Sequence, residues 1–321
     1  GALVKAGAGT STLTGTDNRL KLLVSEAGTL ALQGGSMTLA DPAGAAQGSV
    51  LSVVGGGALH ILGGAQVFAN NSGASSMFID GVAGTQLLID GAGSRLNTGF
   101  QAVVGNSGQG AITVRNGGTL GGAFAVLMGF AAGSRGSLVV ESGGTVSAPV
   151  LLLGTLAGSQ GEAVVRGAGS QLLTDTLGVG GFSSAQNGGT GTLTLADGGS
   201  ARAAITQLWT AGSSVRIDGG SLAAGALVSD GGVGEVALLA DPQGGSALVL
   251  DATNGVHSFT GRISGDPSGT TVGTGMRISG LNQAFVDTHP GTLRGVPHIL
   301  TGGEALSVPH ILRARAALPG T

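Results

Sequence analysis

The sequence predicts an all-β chain that winds into a right-handed parallel β-helix, or β-solenoid, of roughly 12–13 coils of about 25 residues. Three observations lead to this fold class. The chain is very rich in glycine, it repeats one pattern about every 25 residues, and its short apolar runs alternate with period two. The right-handed sense follows from the general preference of parallel β crossovers.

Glycine accounts for 66 of the 321 residues, whereas proline accounts for only 8. The glycines follow no Gly-X-Y period, which excludes a collagen-like chain. Hydrophobic residues make up 41% of the chain, too many for a disordered linker, because such linkers lack the apolar surface that offsets ordering entropy. The composition therefore indicates a folded chain with an unusual number of turns.

The repeat is clearest where a hydrophobic residue precedes glycine, at Val104-Gly105, Met128-Gly129, Leu153-Gly154 and Val179-Gly180. These glycines recur at intervals of about 25 residues. A polar turn, a short apolar run and a second glycine cluster follow each pair. Glycine adopts positive φ without a Cβ penalty and so favours sharp corners. We expect each repeat to form one coil.

The apolar runs have strand patterning. In "AITVR", Ile112 and Val114 share one face, whereas Thr113 and Arg115 share the other. Runs of four to six residues between glycine breaks are too short for stable helices. One such unit cannot bury its apolar face alone, but stacked units can. The predicted interior comprises Ile112, Val114, Leu138, Val140, Val165, Leu193 and Leu195. A pair of β-sandwiches would explain the strand spacing but not the 25-residue phase.

The regularity of the repeat divides the chain into three segments. Residues 84–225 carry the regular β-helix repeats, residues 1–83 form irregular N-terminal coils, and residues 226–321 form C-terminal coils and a cap. Strands in neighbouring coils lie about 4.8 Å apart, so the expected rod is on the order of 60 Å long.

Aligning the runs by their apolar faces places three charged residues in one outward column, one coil apart. Arg115, Glu141 and Arg166 then follow in the order plus, minus, plus. Stacked parallel strands favour opposite charges at neighbouring positions over like charges. We therefore expect a structural charge ladder, whose main effect is to fix the register of the strands.

Charge and hydropathy exclude several partners. The chain has 14 Lys and Arg against 17 Asp and Glu, with no basic stripe, so we expect no nucleic-acid binding. No apolar run approaches the roughly 18 residues that a spanning helix needs, so we expect this segment not to be inserted in a membrane. Cysteine is absent, which excludes disulfides and thiol catalysis.

The sequence offers no set of residues that indicates catalysis or a cofactor. Asp80, Asp90, Asp197, Asp218 and Asp230 each precede glycine, and Asp-Gly is first a turn signal.

The candidate metal ligands are His298 and His310, which lie in two copies of the tetrapeptide "PHIL" with His289 and Glu304 nearby, and which could form a zinc or nickel site. Their spacing matches no short metal motif, so a duplicated turn and strand explains them better.

Part of the chain resembles the passenger domain of bacterial type V autotransporters. The resemblance covers 91–222 and rests on "GNSGQGAITVRNGGTL" and "GAGSQLLTDTLGVGGFSSAQNGGTGTLTLADGGSA". Residues 257–293 are similar to the autotransporter-associated β-strand repeat. The residues that match its two parts are Phe259, Gly261, Ile263, Ser264 and Gly265, then Gly273, Gly275, Ile278, Ser279, Gly280 and Asn282.

The resemblance implies an exported rod, secreted by or displayed on the surface of a Gram-negative bacterium. It further implies adhesion, self-association or structural display without catalysis. The expected partner is a protein or glycan on a host or neighbouring cell, or a second copy of the chain. Two alternatives stay open: a carbohydrate-active β-helix enzyme or tailspike, and a subunit of an extracellular filament that pairs through its open end coils.

Overall fold

The computed structural model describes residues 1–40, 49–71, 75–183, 188–229, 233–239, 246–251 and 258–265, together with the backbone of 275–279 and 299–302. The regular structure of these residues is entirely β-strand, and the strands pair in parallel from coil to coil. The chain is therefore a parallel β-solenoid, which confirms the predicted fold class. The handedness of the coil stays a prediction.

The strands follow one another in this order: β1 (Ala2–Lys5), β2 (Thr10–Leu13), β3 (Asn18–Leu20), β4 (Leu22–Ser25), β5 (Thr29–Gln33), β6 (Ser36–Ala40), β7 (Leu51–Val54), β8 (Ala58–Leu62), β9 (Gln66–Asn70), β10 (Ser75–Asp80), β11 (Gln86–Asp90), β12 (Arg95–Thr98), β13 (Gln101–Val104), β14 (Gln109–Arg115), β15 (Thr119–Gly122), β16 (Ala125–Met128), β17 (Arg135–Glu141), β18 (Thr145–Leu153), β19 (Gln160–Arg166), β20 (Gln171–Val179), β21 (Thr190–Ala196), β22 (Ser200–Leu208), β23 (Ser214–Asp218), β24 (Ser221–Ser229), β25 (Glu235–Leu239), β26 (Ala247–Asp251), β27 (Arg262–Ser264), β28 (Gly275–Ser279) and β29 (Ile299–Gly302).

These strands form two sheets. The first sheet holds 18 strands and the second sheet holds 11, which run from β2 through β14 and β17 to β27. In the N-terminal half, each coil contributes one strand to the second sheet and two to the first. From β18 to β24, the two first-sheet strands of a coil fuse into a single nine-residue strand, namely β18, β20, β22 and β24.

Coil length is most uniform in the middle of the solenoid, where Asp90, Arg115, Glu141 and Arg166 pair in succession at a nearly constant interval. The interval varies more elsewhere. It is shorter between β2 and β5, where Thr10 pairs with Thr29, and longer between β19 and β21, where Gln160 pairs with Thr190. Second-sheet strands have at least five residues from β5 to β25, which makes about eight turns, whereas roughly 12 or 13 coils were expected for the whole chain.

The core is a set of aliphatic columns inside the coil. The seven interior residues predicted from the sequence are all buried, with exposures of 0 or 1%. Two columns of the second sheet show the stacking: Leu59, Leu87, Ile112, Leu138, Ala163, Leu193 and Val215, and Ile61, Ile89, Val114, Val140, Val165, Leu195 and Ile217. Burial of one such side chain contributes about 1.5–3 kcal/mol, so the stacked columns are the main source of stability.

Two columns of glycine meet at one corner of the coil, and we call this contact the glycine corner. Gly105, Gly129, Gly154 and Gly180 have φ of 69°, 69°, 70° and 83°, a region that L side chains rarely adopt. They face Gly110, Gly136, Gly161 and Gly191, the second residues of strands β14, β17, β19 and β21, which have ordinary φ. A Cβ on Gly136 would clash with the carbonyl oxygen of Val104 and the amide nitrogen of Gly129. The 25-residue glycine phase therefore arises because backbone packs against backbone here.

Buried serines tie the turns of successive coils together. The hydroxyls of Ser94, Ser170 and Ser246 accept hydrogen bonds from the amides of Gly64, Gly143 and Gly219, at 3.1, 3.1 and 2.8 Å. All three serines are fully buried. Each bond satisfies an amide that a sharp turn would otherwise leave without a partner. These serines lie in glycine-rich turns, where the sequence pattern indicates a corner but not which hydroxyl points inward.

We expect Val140→Asp to be severely destabilising, because an unpaired carboxylate would lie among stacked aliphatic side chains. Val139, one residue earlier, is partly exposed on the outer face, so Val139→Asp should be nearly neutral. Thermal unfolding of both variants measures the difference. Equal losses in the two proteins would show that the faces of β17 are assigned wrongly.

Gly136→Ala should cost about 1–3 kcal/mol or more, because backbone atoms on both sides of the glycine corner would have to move apart. Gly122→Ala in β15 is the matched control, since its Cβ would find only side chains at 3.3 Å and beyond. Chemical denaturation of both variants tests this. A Gly136→Ala protein as stable as the control would mean that the corner can open at little cost.

Candidate functional site

The predicted charge ladder lies on the outer face of the second sheet. Arg115 is the register partner of Glu141, and Glu141 is the partner of Arg166. The column also contains a fourth member, because Asp90 pairs in register with Arg115. Its charges therefore alternate in sign over four successive coils.

The ladder is divided into two ion pairs. Arg115 binds Asp90 through Nη2 at 2.8 Å and Nε at 2.9 Å, both to Oδ2. Arg166 donates to Oε2 of Glu141, with Nε at 2.9 Å. The side chain of Arg115 therefore points toward the preceding coil, whereas aligning the repeats of the sequence had predicted Glu141, in the following coil, as its neighbour. Asp90 escaped the sequence analysis as a ladder residue because the Asp-Gly pair was interpreted as a turn.

Asp90 is the most constrained carboxylate of the ladder. Burial alone would raise its pKa, but hydrogen bonds from Asn116 and Arg115 and the charges of Arg115 and His60 outweigh burial and lower it. Asn116 donates from Nδ2 to Oδ1 at 2.7 Å. His60, on the outer face of β8, has a lowered pKa because of burial and of Arg115, with Asp90 acting in the opposite direction. Asp90 and Glu141 are each paired with an arginine, so the ladder adds to the alignment of the strands.

Asp80 holds a turn of the next coil. Its Oδ1 accepts hydrogen bonds from the amides of Asn106, Ser107 and Gly108, at 2.8, 3.0 and 2.8 Å. Its Oδ2 accepts a hydrogen bond from the Ser107 hydroxyl at 3.0 Å. The Asp80 carboxylate, at the end of β10, therefore stabilises the turn that follows Gly105 in the next coil.

The candidate metal ligands His298 and His310 lie outside the described residues, as do His289, Glu304 and Asp230. Within the described ranges, no group of three or more histidine, aspartate or glutamate side chains is placed to hold a metal ion. The described part of the chain also has no helix long and apolar enough to cross a membrane.

A second hydrophobic cluster lies outside the coil, on the outer face of the first sheet. Val103, Ala125, Leu127 and Leu152 are 2–5% exposed, and none of them belongs to the main core. Phe78, Phe130 and Val150 pack against them and are partly exposed. The register runs Phe78, Val103, Leu127 and Leu152 over four successive coils.

Two stacked phenylalanines adjoin this cluster. Phe100 and Phe124 directly precede β13 and β16, and their rings are nearly parallel, with centroids 4.9 Å apart. Phe124 is 49% exposed. The strand residues aligned over this cluster are 75–80 (β10), 101–104 (β13), 125–128 (β16) and 150–153 (within β18), and they carry one charge, that of the hydrogen-bonded Asp80. We call the cluster together with the two rings the outer apolar surface.

Sequence analysis missed the outer apolar surface because it treated every apolar run as alternating. The available signal was the loss of alternation: "AVLM" in β16 and "VLLL" in β18 are apolar at every position. A run with both faces apolar indicates burial or contact on both sides of the sheet.

Two depressions mark the surface of the sheets. The polar groove, with a volume of about 490 Å³, crosses the first residues of β14, β17, β19 and β21, and is lined by polar side chains that include Arg135 and Glu162. The second depression, about 680 Å³, lies on the first sheet and is lined largely by small side chains, with Asp175 and Arg202 at its charged positions. Neither depression was foreseen from the sequence.

Comparisons with protein-family models, with curated proteins and with solved structures give no match. The fold is therefore established by the structure itself.

We expect Asp90→Asn to lower stability at pH 7 by about 1 kcal/mol or less, because the pair is partly exposed to solvent. The lowered pKa sets the pH dependence: the stabilisation is fully present above the ordinary value of 3.8 and is lost as the pH falls through the lowered pKa. The difference between Asp90→Asn and the unaltered chain in urea denaturation should therefore shrink below about pH 4. Asp175→Asn, at an exposed site on the other sheet, is the control. A pH-independent difference would contradict the assigned pairing.

Proposed function

We propose that the chain is an exported or surface-displayed β-solenoid rod of a Gram-negative bacterium, of the autotransporter-passenger type. It acts by self-association or adhesion rather than by catalysis. The parallel solenoid is compatible with such a passenger, and the outer apolar surface is the observation that carries the proposal. Its exposed part is Phe124, with the partly exposed Phe78, Phe130 and Val150 beside it, and exposed apolar side chains grouped over an already complete core mark a contact site.

The occupant of the outer apolar surface is a second copy of the chain. Its strands leave almost no charge to repel an identical face, so the same patch can meet itself across a two-fold axis. Side chains of this surface that belong to successive coils lie one strand spacing apart, about 4.8 Å. Two copies of the chain that meet in antiparallel orientation therefore present side chains at the same spacing. The stacked Phe100 and Phe124 rings project beside these rows, and aromatic side chains are enriched in interface cores.

The arrangement of charged groups supports binding rather than catalysis. The ladder acids are paired with arginines, Asp80 is bound to a turn, and the polar groove contains two charged residues and no aromatic side chain. Hydrolysis of a glycoside needs a pair of converging carboxylates, and the lining of the polar groove holds one carboxylate, that of Glu162.

We expect the unaltered chain to self-associate with increasing concentration in sedimentation velocity, rising above the 30.6 kDa of a single copy. Phe124→Ser should shift the distribution toward the single copy, because it removes an exposed ring from the outer apolar surface. Phe68→Ser is the matched control: Phe68 is 37% exposed on a different row, between Thr38 and Asn97.

Equal shifts in the two variants would show general surface stickiness instead of a defined interface. A chain that stays a single copy at every concentration would exclude self-association through this surface.

A further inference from the structure

The polar groove has the geometry of a binding site for an extended molecule. Its two walls are outward rows of the second sheet, which contain Gln109, Arg135 and Gln160 on one side and Ser137, Glu162 and Thr192 on the other. The inward glycines of the glycine corner lie between the rows and leave the floor low. Four strands at a spacing of about 4.8 Å make the groove about 14 Å long, parallel to the solenoid axis. Its volume of about 490 Å³ falls within the range of ligand sites.

The four long polar side chains of the groove are without a partner among the described residues, whereas the hydroxyl of Thr85, which also lines the groove, accepts a hydrogen bond from the Gly56 amide at 2.9 Å. No hydrogen bond or ion pair holds the side chains of Gln109, Arg135, Gln160 or Glu162 in the described ranges, and none of these residues has an interaction beyond those described. Arg135 and Glu162 lie on adjacent strands, yet they form no ion pair there. At the other end of the same strands, Arg115, Glu141 and Arg166 are all paired. The sheet thus satisfies its charges at one end and leaves donors and acceptors free at the other.

The side chains that line the groove fit some classes of extended ligand better than others. A peptide would gain little, because peptide recognition on sheets uses an open edge, and the backbone of this floor is already paired between coils. A nucleic acid needs several cations, and the groove offers one. A polyanion would meet Glu162, and a lipid would find few apolar side chains. Sugar hydroxyls both donate and accept hydrogen bonds, which matches a wall of amides, hydroxyls and one charge of each sign.

We infer that the polar groove binds a linear, uncharged glycan whose chain runs along the solenoid axis. Arg135 and Gln160 donate to ring and hydroxyl oxygens on one side, while Glu162 accepts from hydroxyls on the other. The ligand displaces water from side chains that are already exposed, so binding requires no rearrangement of the coil. This inference rests on the adhesive part of the proposed function, and it does not depend on self-association through the outer apolar surface.

The test measures binding of three neutral tetrasaccharides, maltotetraose, cellotetraose and tetra-N-acetylchitotetraose, to the full chain by isothermal titration calorimetry and saturation-transfer NMR. At least one should bind with a Kd at or below about 1 mM. Arg135→Ala and Glu162→Gln should each weaken that binding by about tenfold, as expected when a charged hydrogen-bonding partner is lost. Both residues are exposed, so thermal unfolding should be unchanged and a loss of binding can be separated from misfolding.

The controls are Arg202→Ala and Asp175→Ala, which remove one charge of each sign from the depression on the first sheet. They should leave glycan binding unchanged, as should Phe124→Ser, so a failure of the self-association proposal stays distinguishable from a failure here.

Four outcomes would overturn the inference. The first three are no binding by any of the three tetrasaccharides, equal loss in the control variants, and tighter binding of tetragalacturonate than of the neutral sugars, which would identify a polyanion as the ligand. Tighter binding of an extended peptide than of any sugar would likewise replace the glycan assignment.

Discussion

The contact between two columns of glycine at one corner of the coil is the constraint on which the rest of the structure depends. Gly129 approaches Gly136, the second residue of β17, so closely that Gly136 has no room for a side chain, and a side chain on Gly129 would clash with the backbone of Gln160. Because this approach recurs from Gly105 to Gly191, successive coils start their second-sheet strands at the same place. That shared starting point aligns the aliphatic columns, the charge ladder and the two walls of the polar groove from one coil to the next. Stability comes from aliphatic burial, but register comes from the glycine corner.

The sequence was informative where one rule governs many coils. Glycine phase and period-two alternation were sufficient to predict a parallel solenoid, the inward placement of Val140 and Val165, and a shared column for Arg115 and Glu141. The sequence was less informative where coils differ from one another. The short interval from β2 to β5, the long interval from β19 to β21 and the fusion of two strands at β18 arise from local turn geometry that no repeat encodes.

The candidate sites were harder to predict than the fold because they depend on side chains from different coils meeting in space. The outer apolar surface needs Phe78, Val103 and Leu127 to share a column, which requires the register in advance. The direction of Arg115 toward Asp90, rather than Glu141, depends on a rotamer choice and on the support of Asn116. The polar groove is defined by long polar side chains that have no partner among the described residues, and a sequence lists residues without showing which of them stay unpaired.

The uniform interval in the middle of the solenoid also determines how such a chain can change its length. Between Asp90 and Arg166 the coils are nearly equal in length, and each contributes one member to every column. Gain or loss of one whole coil would preserve the type of every contact and change the rod by a single strand spacing of about 4.8 Å. Gain or loss of a few residues within a strand would instead move aliphatic side chains outward and charges inward. We therefore expect changes in chain length to be tolerated in whole coils, so that the length of the solenoid changes in steps of one strand spacing.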